Sequence, residues 1–274
     1  MKKLIAILVT VLALSSAASA QEETLIIGEY GITGGAANYF GDLNTNASLN
    51  RPKISLGAFY RKQLNNYAAI RLTGTFCQLG YSDIYSNNEA QRRRNLSFNT
   101  NIFEIAVRGD FNFFKYIPSD PNHSFTPYAT LGFGFFSYNP YAYLNGVKYY
   151  LRPLHTEGET FYKGRKEYGT MAGCIPIGFG IKYAASSKVN ISFEISYRFT
   201  TTDYIDDVST TFIGIDKFPA NSVAALLQDR SYATGTTIGI EGRQRGFSSQ
   251  KDAYSIAEVG ISFNITTYRC PTAR

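Results

Sequence analysis

The run from Tyr254 to Tyr268 (YSIAEVGISFNITTY) alternates with a period of two, and that pattern dictates an extended strand. Ser255, Ala257, Val259, Ile261, Phe263, Ile265 and Thr267 share one face, while Ile256, Glu258, Gly260, Ser262, Asn264 and Thr266 share the other. One face is apolar, the other polar to charged. At fifteen residues with an aromatic at each end, the segment suits a tilted bilayer crossing better than a soluble sheet.

The start of the chain points to an exported protein. Residues 1–20 carry Lys2 and Lys3, an apolar run from Leu4 to Leu14, and Ala18-Ser19-Ala20 before Gln21. This is the layout of a secretory signal peptide, with an apolar run too short to span as a helix. No later segment reaches about 18 uninterrupted apolar residues, which argues against a helical membrane protein. Loss of the leader takes two lysines from the 27 Lys+Arg, against 21 Asp+Glu, and leaves too small a basic excess to argue for a nucleic-acid partner. Tyr 21, Phe 20 and Gly 24 are abundant and Met is 2, a composition that suits strands with close inward packing.

The mature chain resolves into eight alternating segments at about 25–39, 53–64, 67–81, 98–114, 126–138, 173–183, 188–200 and 254–268. Their connections alternate in length: Asn65-Asn66, Lys115 to Phe125 and Ala184 to Ser187 are short, and 41–52, 82–97, 139–172 and 201–253 are long. The expected fold is therefore all-β, an eight-stranded antiparallel transmembrane β-barrel with long outer loops, short periplasmic turns and both termini in the periplasm. It spans 21–268 as one unit, and 269–274 form a periplasmic tail. Within the last loop, Asn221 to Gln228 reads as one or two helical turns capped by Asn221.

The inward parity gathers Glu29, Glu104, Asp110, Glu194 and Glu258 against Arg61, Arg71, Arg108, Lys182 and Arg198. An eight-stranded lumen is just wide enough for side chains to fill it, so five charges of each sign read as a solvated salt-bridge plug. Inward glycines leave a small-ligand lumen as an alternative. His123 falls in a short turn and His155 in a long loop, near Asp203, Asp206 and Asp207 only by outer-loop location. Neither histidine assembles a catalytic or metal-binding pattern, so no enzyme, metal or cofactor is expected. Cys77 and Cys174 lie inward near the outer end and either pair or stay free; Cys270 lies at the opposite end, out of their reach.

Glu29-Tyr30-Gly31 through Gly34-Gly35 to Tyr39-Phe40-Gly41-Asp42-Leu43 resembles the opening of the PorG-like outer-membrane barrels of type IX secretion. Thr202-Asp203-Tyr204-Ile205-Asp206-Asp207-Val208-Ser209 and Cys270-Pro271 are similar to that group too. The resemblance implies a non-enzymatic barrel, embedded in outer-membrane lipid, that positions a periplasmic ring made of a lipoprotein and its partner. Cys270, as the odd cysteine either a spare thiol or an intermolecular crosslink point, then becomes a candidate crosslink to a ring subunit. The terminal Thr272-Ala273-Arg274 departs from the aromatic ending expected of such barrels. Two other functions compete: an OmpA/OmpX-like surface barrel working through its outer loops in adhesion or envelope stability, and a narrow channel or small-ligand transporter.

Overall fold

The computed structural model describes residues 26–266. Ten strands follow in chain order: β1 (Ile26–Phe40), β2 (Lys53–Gln63), β3 (Ala68–Ser82), β4 (Ser97–Asn112), β5 (Phe125–Ser137), β6 (Tyr141–Leu144), β7 (Val147–Tyr150), β8 (Met171–Ala184), β9 (Val189–Thr200) and β10 (Ala253–Thr266). Eight of them form a ring. Each of β1–β5 and β8–β10 pairs antiparallel with a neighbour on both sides, and the circle closes through β1 with β10 and β3 with β4. Closure satisfies every strand edge, which is the condition for crossing lipid with strands. The fold is thus the expected eight-stranded antiparallel barrel, with β6 and β7 as a hairpin added above β4 through the Asn99–Tyr141 pair.

Period two sets the two surfaces. On β4, Phe103, Ile105, Val107 and Phe111 are exposed while Ile102, Glu104, Ala106, Arg108 and Asp110 are buried. On β10, Val259, Ile261 and Phe263 are exposed and Ile256, Glu258 and Ser262 buried. The outside of the barrel is a belt of this kind on every strand, including Ile177 and Phe179 on β8 and Ile191, Phe193 and Ile195 on β9. So much exposed apolar surface is stable only against a non-aqueous surrounding.

The long connections are folded, which the sequence reading left open. Segments 41–52, 83–96, 138–170 and 201–252 close over one end of the barrel as a cap. Its apolar core runs from the upper barrel wall (Ala37, Leu79, Phe98, Ile102, Phe136, Tyr254, Ile256) into the loops (Leu43, Leu151, Ile205, Val208, Leu227). Two short helices belong to it. Helix α1 (Glu89–Arg94) is capped by Asn88, whose side chain accepts from Ala90 N at 2.9 Å. Helix α2 (Val223–Gln228) corrects the sequence reading: Ser222, not Asn221, is the N-cap and accepts from Ala225 N at 3.2 Å. Asn221 stands one residue earlier at φ 57°, a left-handed conformation that asparagine tolerates and a cap position does not use. At the other end, the turn after β4 folds inward, burying Tyr116 and Ile117. The leader at 1–20 and the tail with Cys270 lie outside the described residues.

Candidate functional site: a charge-filled lumen under a folded cap

Strand register places the inward charges in rows. Arg61 on β2 stands opposite Arg71 on β3, and Arg71 opposite Arg108 on β4, so three guanidiniums line one wall. Across the lumen, Glu194 on β9 stands opposite Glu258 on β10. Like charges directly opposite one another on neighbouring strands repel. What compensates them is mostly contact across the lumen.

Arg61 joins Glu29 and, through Nε, Asp110 at 2.6 Å. Arg71 Nη2 donates to Glu194 Oε2 at 2.6 Å, to Asp110 Oδ1 at 3.1 Å and to Thr130 at 3.2 Å. Arg108 Nη2 lies 2.6 Å from Glu194 Oε1, off the hydrogen-bond direction, so this contact is electrostatic rather than an aligned hydrogen bond. Lys182 Nζ lies 3.9 Å from Glu29 and 4.3 Å from the Tyr116 ring centroid beneath it. Nearer the cap, Arg198 Nε donates to Glu104 Oε2 at 3.2 Å, and Tyr254 Oη donates to the same oxygen at 2.6 Å. Nine of the ten charges therefore enter ion pairs within the lumen; Glu258 is in the lumen but joins no ion pair among the described residues.

These side chains are 7% exposed or less, so they are packed rather than solvated. Glycine makes the room. A Cβ at Gly180 would stand 2.7 Å from the Tyr128 ring, and one at Gly132 2.8 Å from Arg108 Cγ. The space the inward glycines leave is taken by neighbouring side chains, which removes the sequence-level reason for a ligand there. Cys77 and Cys174 are free and buried; the Cys174 thiol lies 3.8 Å from Glu104 Oε2.

Above the lumen the cap concentrates carboxylates that sequence reading mostly missed, because they come from four loops with no shared motif. Arg94 grips Asp83 through two 2.7 Å hydrogen bonds, and Arg245 reaches Glu157 at 3.0 Å. Asp203, Asp206 and Asp207 are all buried here. Asp207 accepts from Thr156 and Tyr168, each at 2.5 Å; Asp203 accepts from Ser209 at 2.6 Å. Asp206 and Asp252 flank the Tyr39 hydroxyl at 2.6 and 2.8 Å, and that hydroxyl has one proton to give. Burial is the main force on these acids. It pushes Asp42 up to about 6 and Asp203 and Asp207 up to about 7, and holds Asp206 and Asp252 well above the usual carboxylate range, with the charge of Asp252 adding for Asp206.

The two histidines stay apart from any such cluster. His123 Nδ1 lies 2.6 Å from Asp120 in the short turn after β4, and His155 sits in the cap at φ 50°. Among the described residues no group of three or more His, Cys, Asp or Glu is arranged to hold a metal ion.

Fold and lumen together define a closed, eight-stranded antiparallel barrel with an apolar outside and a side-chain-filled inside. The chain belongs to the family described as Domain of unknown function (DUF6089), whose model matches residues 2–212. No curated protein matches it. Among solved structures it is similar to Neisserial surface protein A (NspA), at 9% identity and TM-score 0.44 over 89% of this chain and 100% of that one. It is also similar to the attachment invasion locus protein Ail of Yersinia pestis, in complex with the heparin analogue sucrose octasulfate, at 11% identity and TM-score 0.40 over 87% and 99%. A third similarity is to the N-terminal β-barrel domain of Pseudomonas aeruginosa OprF, at 10% identity and TM-score 0.36 over 87% and 99%.

Proposed function

We propose that this protein is a non-enzymatic outer-membrane anchor: a sealed barrel that works through its two ends and positions the periplasmic ring of a type IX secretion apparatus. The observation that carries the sealed-anchor reading is the lumen. Charged side chains fill it from wall to wall, from the Tyr116 floor to the Arg198–Glu104 pair, and leave the ends as the working surfaces. The apolar belt supports an outer-membrane location, since only a closed barrel crosses lipid with strands. In this orientation the short turns and both termini face the periplasm, and the cap faces outward.

The secretion reading draws its support from the PorG-like residues: the Glu29-to-Leu43 opening, the Thr202-to-Ser209 segment and Cys270-Pro271. Affinity capture of the barrel from detergent-solubilised envelope tests it. Co-recovery of the ring lipoprotein and its partner supports the reading, and their absence alongside an intact barrel overturns it. Cys270 gives a second readout. A heavier band on non-reducing gels that vanishes in Cys270→Ser and persists in Cys77→Ser marks the tail as the docking point.

The second reading, an OmpA/OmpX-like surface barrel, is favoured by the cap. Four loops share one packed core there, and a folded surface of that size has the form of a binding or stabilising element.

A further inference from the structure

The β6–β7 hairpin is the part of the cap that pairs with β4 through Asn99 and Tyr141, and its two faces differ. Ala142 and Leu144 turn inward and are buried in the cap core. Tyr141 and Tyr143 turn the other way, and the hairpin register sets Tyr150 opposite Tyr141 and Lys148 opposite Tyr143. Lys148 Nζ lies 3.8 Å from the Tyr141 ring centroid and 4.7 Å from that of Tyr150, and donates to Tyr150 Oη at 3.3 Å. An exposed lysine is thus held in place on a platform of tyrosines.

That platform forms one side of an open cavity of about 360 Å³ whose floor belongs to β4. The floor lies where the outside of β4 changes character. Phe103, Ile105, Val107 and Phe111 are apolar and exposed; the next outward positions toward the cap are Asn101 and Asn99. Ser137 makes the same change on β5, where it follows the exposed outward run of Leu131, Phe133 and Phe135. The cavity thus has Phe103 below, Asn101 and Ser137 at its middle and a tyrosine-held ammonium above, and it spans the change from apolar to polar on the outer face. Tyrosine and lysine are the residues that settle at the boundary between acyl chains and headgroups.

We propose that this cavity is a seat for the phosphate-bearing headgroup of an outer-leaflet lipid, with Lys148 pairing the phosphate, Tyr141 and Tyr150 flanking it, and Phe103 against the first acyl carbons. The occupant is a lipid rather than a soluble anion because the cavity continues directly into the apolar belt. The proposal rests on the outer-membrane reading above.

Native mass spectrometry of the detergent-folded barrel, with diphosphoryl lipid A as the probe, tests it. Heat-modifiable migration and insertion into phosphatidylcholine nanodiscs come first and report on the membrane reading alone; a chain that fails them refutes that reading. In a barrel that passes, one lipid A should be retained per chain, and Lys148→Gln should weaken retention by about five-fold, the worth of one basic residue at an anionic surface. Tyr141→Ala should weaken it further. Equal retention by the parent and Lys148→Gln, equal retention of a fully dephosphorylated lipid A, or complete displacement by inorganic phosphate overturns the proposal.

Discussion

Replacing Arg198 by Met keeps most of the side-chain volume and removes the charge. Arg198 is 1% exposed, and its Nε is 3.2 Å from Glu104 Oε2, the one ion pair Glu104 makes among the described residues. Its Nη1 also donates to Ser196 Oγ at 2.6 Å. The substitution strands a buried carboxylate, and breaking a buried pair from one side costs about 3–5 kcal/mol. Glu104 keeps the 2.6 Å hydrogen bond from Tyr254, which places the expected loss near the lower end of that range. Adding Glu104→Gln removes the stranded charge while its amide oxygen still accepts from Tyr254, so the double variant should regain about 2 kcal/mol. The assay is urea unfolding of the barrel in lipid vesicles, followed by gel migration and strand circular dichroism, because the chain has no tryptophan to report fluorescence. A single variant within about 1 kcal/mol of the parent, or a double variant no better than the single, refutes the reasoning.

Ile195 stands mid-belt on β9 and is exposed, so Ile195→Arg should cost about 2–4 kcal/mol in the same vesicles, whereas Lys62→Arg, where the outer face of β2 already carries a cation, should stay within about 1 kcal/mol. The cap should respond to pH through Asp42, Asp203 and Asp207, whose carboxyls burial raises to about 6, about 7 and about 7. A raised folded value means the protonated form is the one the cap favours. The stability is therefore fully present below the ordinary carboxylate range and is lost as pH rises through about 6–7, so limited trypsin digestion of the cap should quicken between about pH 5 and pH 8 while the strand signal holds. Asp203→Asn should flatten that rise, and an unchanged profile in the variant would contradict the assignment.

Strands were legible because each carries its face assignment in its own residues: Phe103-Glu104-Ile105-Ala106-Val107-Arg108 announces both surfaces of β4 without help from any other segment. The ten inward charges were legible for the same reason, since parity alone selects them. Which charge meets which was not. Arg61, Arg71 and Arg108 form a row only through the registers of β2, β3 and β4, and Arg71 finds Glu194 from 123 residues away. The cap was illegible for a further reason. Asp42, Asp83, Glu157, Arg94, Arg245 and Asp252 are spread over four loops, with no periodicity to single them out, and their burial depends on the loops folding over one another. Tyr116 likewise reads as part of a Pro-containing turn and is in fact the floor beneath Lys182. The Asn221 cap failed on a local competition, since Ser222 supplies the same oxygen one residue later and lets Asn221 take the left-handed turn.

Single-channel recording in planar bilayers tests the central claim, that the barrel is sealed by its own side chains and works through its ends. With the lumen ion pairs and the Tyr116 floor in place, the parent protein should insert and show no steady conductance step. A large, stable conductance in the parent would contradict the sealed lumen and return the protein to the channel reading.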